Sequence, residues 1–209
     1  VRAPSPFGAR HGRAVESTMS ESQLLELLAK QRITEVIHRY ARAIDRMDEA
    51  MLRSVFHPGS RHRHFYEGPS SDPSLPSRPG EPGDFVAFAM DVLRTHSATH
   101  HQLGNVLIEL NGADSATAET YFTAHHRMRP LGDPLAAPNA FDTPMDFFVG
   151  GRYLDRFERR DGDWRIVERI GMTDWVRIDS PASAVGGAIP PDTLGRRAPD
   201  DMVYRFITI

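Results

Sequence analysis

The sequence predicts an α+β domain, with N-terminal helices packed on one face of a bent, mostly antiparallel sheet. Three observations carry that prediction. Apolar residues recur at 3- and 4-residue steps from Leu24 to Ile44. From His101 onward the period changes to alternation. The alternating runs are separated by turn signals, Asn111-Gly112 and Arg160-Asp161-Gly162-Asp163.

The elements follow in order. Residues 1–19 are rich in Arg, Pro, Gly and Ser, lack apolar periodicity and lack the apolar core of a signal peptide, so they are expected to be a flexible leader. Ser20 is a helix cap and Glu21 opens the first turn. Leu24, Leu27 and Leu28 begin an apolar face that Ile33, Val36, Ile37, Tyr40, Ala41 and Ile44 continue. A short helix over Asp48–Val55 points Met51, Leu52, Val55 and Phe56 inward, and His57-Pro58-Gly59 stops it. Residues 58–83 read as a long Pro-, Gly- and Ser-rich loop with a short strand at Arg63–Tyr66, placed to form a lid. Asp84–Thr95 reads as a third helix. Strands are expected at His101–Leu110, Ala116–Met128, Met145–Arg159 and Trp164–Arg177, with Gly104 and Gly150-Gly151 marking bulges or bends. The domain is therefore bounded at 20–178. A C-terminal extension, 179–209, ends in an apolar piece, Met202–Ile209, that packs on the domain or on a neighbouring subunit.

Composition limits the function classes. The chain has 209 residues, 40% hydrophobic and 25% charged, with a net charge of −3. That balance creates no bulk attraction to nucleic acid or to anionic membrane. There is no cysteine, which excludes disulfides, thiol catalysis and zinc–cysteine sites and makes a reducing cytoplasm the expected location. No apolar run approaches the roughly 20 residues needed to cross a bilayer. No phosphate-binding glycine loop, nucleophile elbow or EF-hand loop is present.

Two residues stand out for chemistry. Asp45 lies at the end of the first long helix, in Tyr40-Ala41-Arg42-Ala43-Ile44-Asp45. A carboxylate is disfavoured there by the helix dipole, which points to a specific partner rather than a surface pairing with Arg42 or Arg46. His101 opens the first alternating strand, in His101-Gln102-Leu103-Gly104-Asn105. An Asp bonded to one imidazole nitrogen fixes the tautomer and leaves the other nitrogen as a general base.

These two segments, together with the hairpin Gly151-Arg152-Tyr153-Leu154-Asp155-Arg156-Phe157 through Asp161-Gly162-Asp163-Trp164-Arg165-Ile166, resemble SnoaL-like proteins of the nuclear-transport-factor-like superfamily. The resemblance spans roughly residues 20–178. It implies that the bent sheet closes into a cone with an apolar cavity. It also implies kinship with scytalone dehydratase, hexachlorocyclohexane dehydrochlorinase and polyketide cyclases. The dehydratase and dehydrochlorinase branch uses a His–Asp dyad at the mouth of the cone, and Asp45 and His101 occupy the matching positions.

The expected function is that of a cofactor-free lyase or isomerase, of dehydratase or dehydrohalogenase type. It would abstract a proton from a small apolar organic ligand, with His101 as base and Asp45 orienting it. A polyketide- or steroid-type cyclase or isomerase is one alternative. A non-catalytic binding or assembly protein of the same fold is another. Tyr40, His64, Tyr66, Asn105, His126 and Arg152 are expected to line the substrate site. Each has a plainer reading, as core, loop or paired strand residue. Only one of His125 and His126 can face the cone, because strand neighbours point to opposite sides. Arg152, Arg156 and Arg169 are candidates to steady a developing negative charge. His62 and His64 share a strand face but lack a third ligand, so no metal site is expected. The resemblance further implies a homodimer or homotrimer.

Overall fold

The computed structural model of the chain describes residues 19–64, 85–181 and 195–207. Helix α1 spans Glu21–Arg46. It starts at a capping box, in which Ser20 Oγ accepts from the Gln23 amide at 3.2 Å and the Ser20 amide donates to Gln23 Oε1 at 2.9 Å. It stops at Met47, which adopts a left-handed conformation with φ of 51°. The Asp48 side chain then caps α2 (Glu49–Ser54), accepting from the Met51 amide at 3.0 Å.

The buried stripe of α1 begins only at Ile33 and continues through Val36, Ile37, Tyr40, Ala41 and Ile44. Leu24, Leu27 and Leu28, expected on that face, are exposed. The periodicity is real, but nothing among the described residues covers these first turns.

Strand β1 spans Phe56–His64, earlier than the sequence suggested. Pro58 and Gly59 do not end the structure after α2. They sit in an irregularity between Phe56 and Arg61, with φ of 76° at Gly59. An edge strand tolerates a proline that would break a central one, and β1 is at the edge. Helix α3 is Phe85–Arg94. Four long strands follow: β2 (His96–Leu110), β3 (Ser115–Met128), β4 (Met145–Arg160) and β5 (Asp163–Asp179). The sheet order is β1-β5-β4-β3-β2, with β1 parallel to β5 and the remaining pairs antiparallel. Strand β2 starts five residues before the expected His101, so His101 lies inside the strand.

The β4–β5 turn is a two-residue one, with φ of 53° at Asp161 and 88° at Gly162. Positive φ at both central residues matches the twist of the flanking strands, which is why Asp-Gly occurs there. The expected bulges are present at Gly150–Gly151 and between Leu103 and Val106. At Gly151 a Cβ would lie 2.0 Å from the Met172 carbonyl oxygen, so the close approach of β5 requires glycine.

One face of the sheet packs on the helices. Phe122, Ala124, Val149, Tyr153, Phe157 and Ile166 meet Ile33, Ile37, Leu52 and Leu93 there. Within this core lies an ion pair with no exposed side-chain surface, Arg169 Nη2 to Asp155 Oδ2 at 2.6 Å. The Arg169 guanidinium also lies over the rings of Tyr40 and Tyr153, at 3.9 and 4.3 Å.

The segment 195–207 returns to this domain, and α4 (Val203–Phe206) sits beside the end of α1. Arg197 donates to the carbonyls of Leu93 and His96 at 2.9 and 2.8 Å, and Tyr204 donates to Asp48 at 2.9 Å. No described helix is long and apolar enough to cross a membrane.

Candidate active site

The end of α1 meets the middle of β2 through Asp45. Residues His38, Ala41, Arg42 and Asp45 follow each other at helical spacing, so one stripe of α1 faces β2. Strand β2 lies at the sheet edge, where alternate amides have no ladder partner. The Asp45 carboxylate takes one of them: Oδ2 accepts from the His101 amide at 2.8 Å. Its other oxygen, Oδ1, accepts from His101 Nδ1, also at 2.8 Å. The two side chains are nearly buried, at 7% and 11% exposure.

Burial pushes the Asp45 carboxyl up, but the hydrogen bonds and charge of His101 outweigh it and hold the group below the usual carboxylate range. Asp45 is therefore ionised and can only accept. In the neutral imidazole this geometry places the proton on Nδ1, which leaves the Nε2 lone pair free. No described residue hydrogen-bonds to that nitrogen.

A cavity of about 470 Å³ adjoins the pair. Leu103 and Val203 contribute apolar surface, but His38, Arg42, Arg46 and Gln102 also line it. The expectation of an apolar lining is thus met only in part at this mouth. His38 and Arg42 were absent from the predicted site, although their spacing of 7 and 3 residues before Asp45 places them on its helix face. Val203 comes from the C-terminal segment, and no local pattern links it to Asp45.

His126 resolves the parity question on β3. It pairs with Thr99 in register, and its ring stands edge-on to that of His101, with centroids 5.2 Å apart. The ring of His96 lies 5.3 Å away on another side. Burial, reinforced by the neighbouring His101 and His96 rings, holds His126 well below the ordinary histidine range, so it is neutral. Its Nδ1 is buried without a hydrogen-bond partner. His125 points to the other face, where it bonds Asp146 at 2.8 Å beside Arg127.

The other expected lining residues are not all brought to the dyad. Tyr40 is buried in the core between Phe56, Tyr153 and Arg169. Asn105 is exposed within the β2 bulge. Arg152 faces away from the helices, paired with Glu119 and Asp174 at 3.0 Å each. Alternation accounts for this: Tyr153 fills the core, so Arg152 and Arg156 must face outward. Arg169 is on the inner side but engaged by Asp155, with Nη1 left unpartnered. His64 ends β1 opposite Gly171, and Tyr66 lies outside the described residues. Among the described residues no group of three or more His, Asp or Glu side chains is placed to hold a metal ion.

The fold, a long helix packed against the edge strand of a bent mixed sheet, agrees with the sequence comparison. The model of the SnoaL-like domain matches residues 25–170. The chain belongs to the SnoaL-like domain family. Solved structures place this family member among similar folds. The hexachlorocyclohexane dehydrochlorinase LinA-type3 from Novosphingobium barchaimii superposes with a TM-score of 0.55 at 15% identity, covering 80% of this chain and 99% of that one. A candidate scytalone dehydratase from Novosphingobium aromaticivorans gives 0.56 at 18% identity, covering 78% and 97%. The Kfla4162 protein from Kribbella flavida gives 0.57 at 19% identity, covering 73% and 95%. No protein of curated function matches the sequence significantly. At these identities the likeness establishes the fold.

Proposed function

We propose that this SnoaL-like protein is a lyase or isomerase that removes a proton from carbon in a small, largely apolar organic substrate. The observation that carries the reading is the double hold of Asp45 on His101, which fixes the ring and leaves Nε2 as the free base. In the elimination form, Nε2 takes the proton and the C–H electron pair becomes the new double bond. Chloride departs with its own bonding pair, whereas a hydroxyl departs as water by taking the abstracted proton back from the His101 imidazolium. Asp45 stabilises the imidazolium that results. A positioned base of this kind contributes about 10²–10⁴-fold. Neutral His126 packs edge-on against the base and helps hold its ring in place. The dehydrochlorinase and dehydratase names of similar folds agree with this chemistry.

The test uses two probes that report proton abstraction directly. One is γ-hexachlorocyclohexane, followed by chloride release. The other is 5-nitrobenzisoxazole, whose ring opens when a base removes its C3 proton. Turnover that disappears in His101→Ala, with the fold intact by circular dichroism, supports the reading. Equal turnover in wild type and variant refutes it.

One observation favours a second reading. Asp45 also ties down a backbone amide of the edge strand, which a purely structural carboxylate would do. A binding or assembly protein would keep that tether and show no turnover with either probe. Its Asp45 variants would lose stability and nothing else.

A further inference from the structure

The outer face of the sheet, turned away from the helices, holds an unbalanced arginine cluster. In register across three adjacent strands, Glu168 on β5 is flanked by Arg61 on β1 and by Arg156 on β4. Arg63, two residues along β1, approaches the same carboxylate. The separations to Glu168 are 3.4 Å from Arg61, 3.2 Å from Arg63 and 3.5 Å from Arg156. Three guanidinium groups against one carboxylate leave two positive charges unmatched. Glu168 is 10% exposed, whereas Arg61 and Arg156 are 73% and 68% exposed. Neither of these two arginines makes a hydrogen bond among the described residues, so their planar donor forks remain available.

The cluster opens into a cavity of about 860 Å³. One step along the sheet from the arginines, Leu154 and Ile170 pair across β4 and β5 and form an apolar patch of its lining. At the far end the charge is of the other sign: Arg152 meets two carboxylates, Glu119 and Asp174, and Glu109 also lines the cavity. The free positive charge is thus confined to one end, next to apolar surface. A side chain whose carboxylate is already met cannot satisfy so many donors, and planar guanidinium groups match a planar carboxylate in two-point geometry.

We propose that this outer cavity is a binding site for an organic carboxylate with an apolar body. The carboxylate enters between Arg61 and Arg156, and the body lies on Leu154 and Ile170. The site is on the opposite face of the sheet from Asp45 and His101 and is independent of the activity proposed for them.

Octanoate is the probe, with octan-1-ol as its uncharged counterpart, titrated into the whole chain by calorimetry. The Ile170 methyl signals are followed by NMR. The expected result is saturable octanoate binding with movement of the Ile170 signals, little binding of octan-1-ol, and at least tenfold weaker octanoate binding in Arg61→Ser/Arg156→Ser. Both arginines are exposed, so the double variant is expected to fold, and the Ile170 signals report on the site in the wild type regardless. Equal affinity for the alcohol, unchanged binding in the double variant, or a silent Ile170 would each overturn the proposal. So would absence of octanoate binding together with a solution mass that falls in the double variant, which would make this face a contact between copies of the chain.

Discussion

Both oxygens of the Asp45 carboxylate are engaged by one residue, His101, through its ring nitrogen and its own backbone amide, each at 2.8 Å. The two bonds fix different things. The amide bond fixes where β2 lies against α1. The ring bond fixes which imidazole nitrogen carries the proton.

Asp45→Asn separates these roles. The amide oxygen of Asn can still accept from the His101 backbone, but its NH₂ group then faces Nδ1 and donates to it. The ring proton is driven to Nε2, and the base is lost. Turnover of either probe is expected to fall by about 10²–10⁴-fold. Exchange of a charged hydrogen bond for a neutral one should destabilise by about 1 kcal/mol, or roughly 2–4 °C in thermal midpoint for a chain of this size. Steady-state kinetics and a thermal melt check this together. A large fall in melting temperature with unchanged turnover would assign Asp45 to structure alone.

The contact between Asp45 and His101 was legible because each residue sits in a local pattern, a helix end and a strand start, that resembles a known family. Arg152 was misplaced for a physical reason. Strand alternation gives two faces, and only the burial of Tyr153 shows which face is inside. The same ambiguity covered His125 and His126. The first leucines of α1 show the converse limit: an apolar stripe states what a helix is able to bury, not what is there to cover it. Strand β1 was shortened because Pro58 and Gly59 read as breakers, and nothing in the sequence marks an edge strand. The pairing of Arg169 with Asp155 depends on the β4–β5 register, which the bulges at Gly150–Gly151 and at Arg156–Phe157 shift.

Stability should fall as pH drops from neutrality. His126 is held well below the ordinary histidine range by burial and by its histidine neighbours, and burial lowers His96 as well. In the unfolded chain both take up protons near the ordinary value of about 6.5. Below that pH the unfolded state binds more protons than the native state, so acidification favours unfolding. The limit is about 1.4 kcal/mol per pH unit for each group. Asp45 acts lower on the scale. Its depressed pKa contributes stability above the ordinary carboxylate value, and that contribution disappears as pH falls through the folded-state value. Urea denaturation at pH 7 and pH 5 should show the loss, and His126→Leu should reduce it. An unchanged slope in that variant would rule His126 out as the source.

The core ion pair predicts a large single effect. Arg169 and Asp155 have no exposed side-chain surface, and two bonds of 2.7 and 2.6 Å join them. Asp155→Ala leaves a guanidinium in the core beside Tyr40 and Tyr153 but without its carboxylate. Breaking such a pair destabilises by about 3–5 kcal/mol, whereas replacing both partners by apolar groups is close to neutral. The double variant Asp155→Leu/Arg169→Met should therefore be more stable than Asp155→Ala. Denaturant midpoints of the three proteins decide it, and a double variant weaker than the single would show that the pair holds the fold in another way.

Asp201 predicts a local rather than a global change. Its buried carboxylate accepts from the amides of Arg196 and Val203, at 2.7 and 2.9 Å, and lies 3.3 Å from Arg46. Those contacts fasten α4 beside the dyad cavity, with Tyr204 bonded to Asp48 as a second fastening. Burial and the Asp48 carboxylate push the Tyr204 phenol up to about 12, so it remains a donor across the working range. Asp201→Ala removes the first fastening. The segment 195–207 joins the domain through few contacts, so its release should occur as a local opening that leaves the sheet intact. Amide exchange at residues 203–206 should quicken at least tenfold while β3 and β4 keep their protection, with a global stability change below about 1 kcal/mol. Because Val203 lines the cavity beside His101, the same variant should bind substrate more weakly without loss of the base. Unchanged exchange at Val203 would mean that the tail is held by its other contacts, among them those of Arg197, Ala198 and Tyr204.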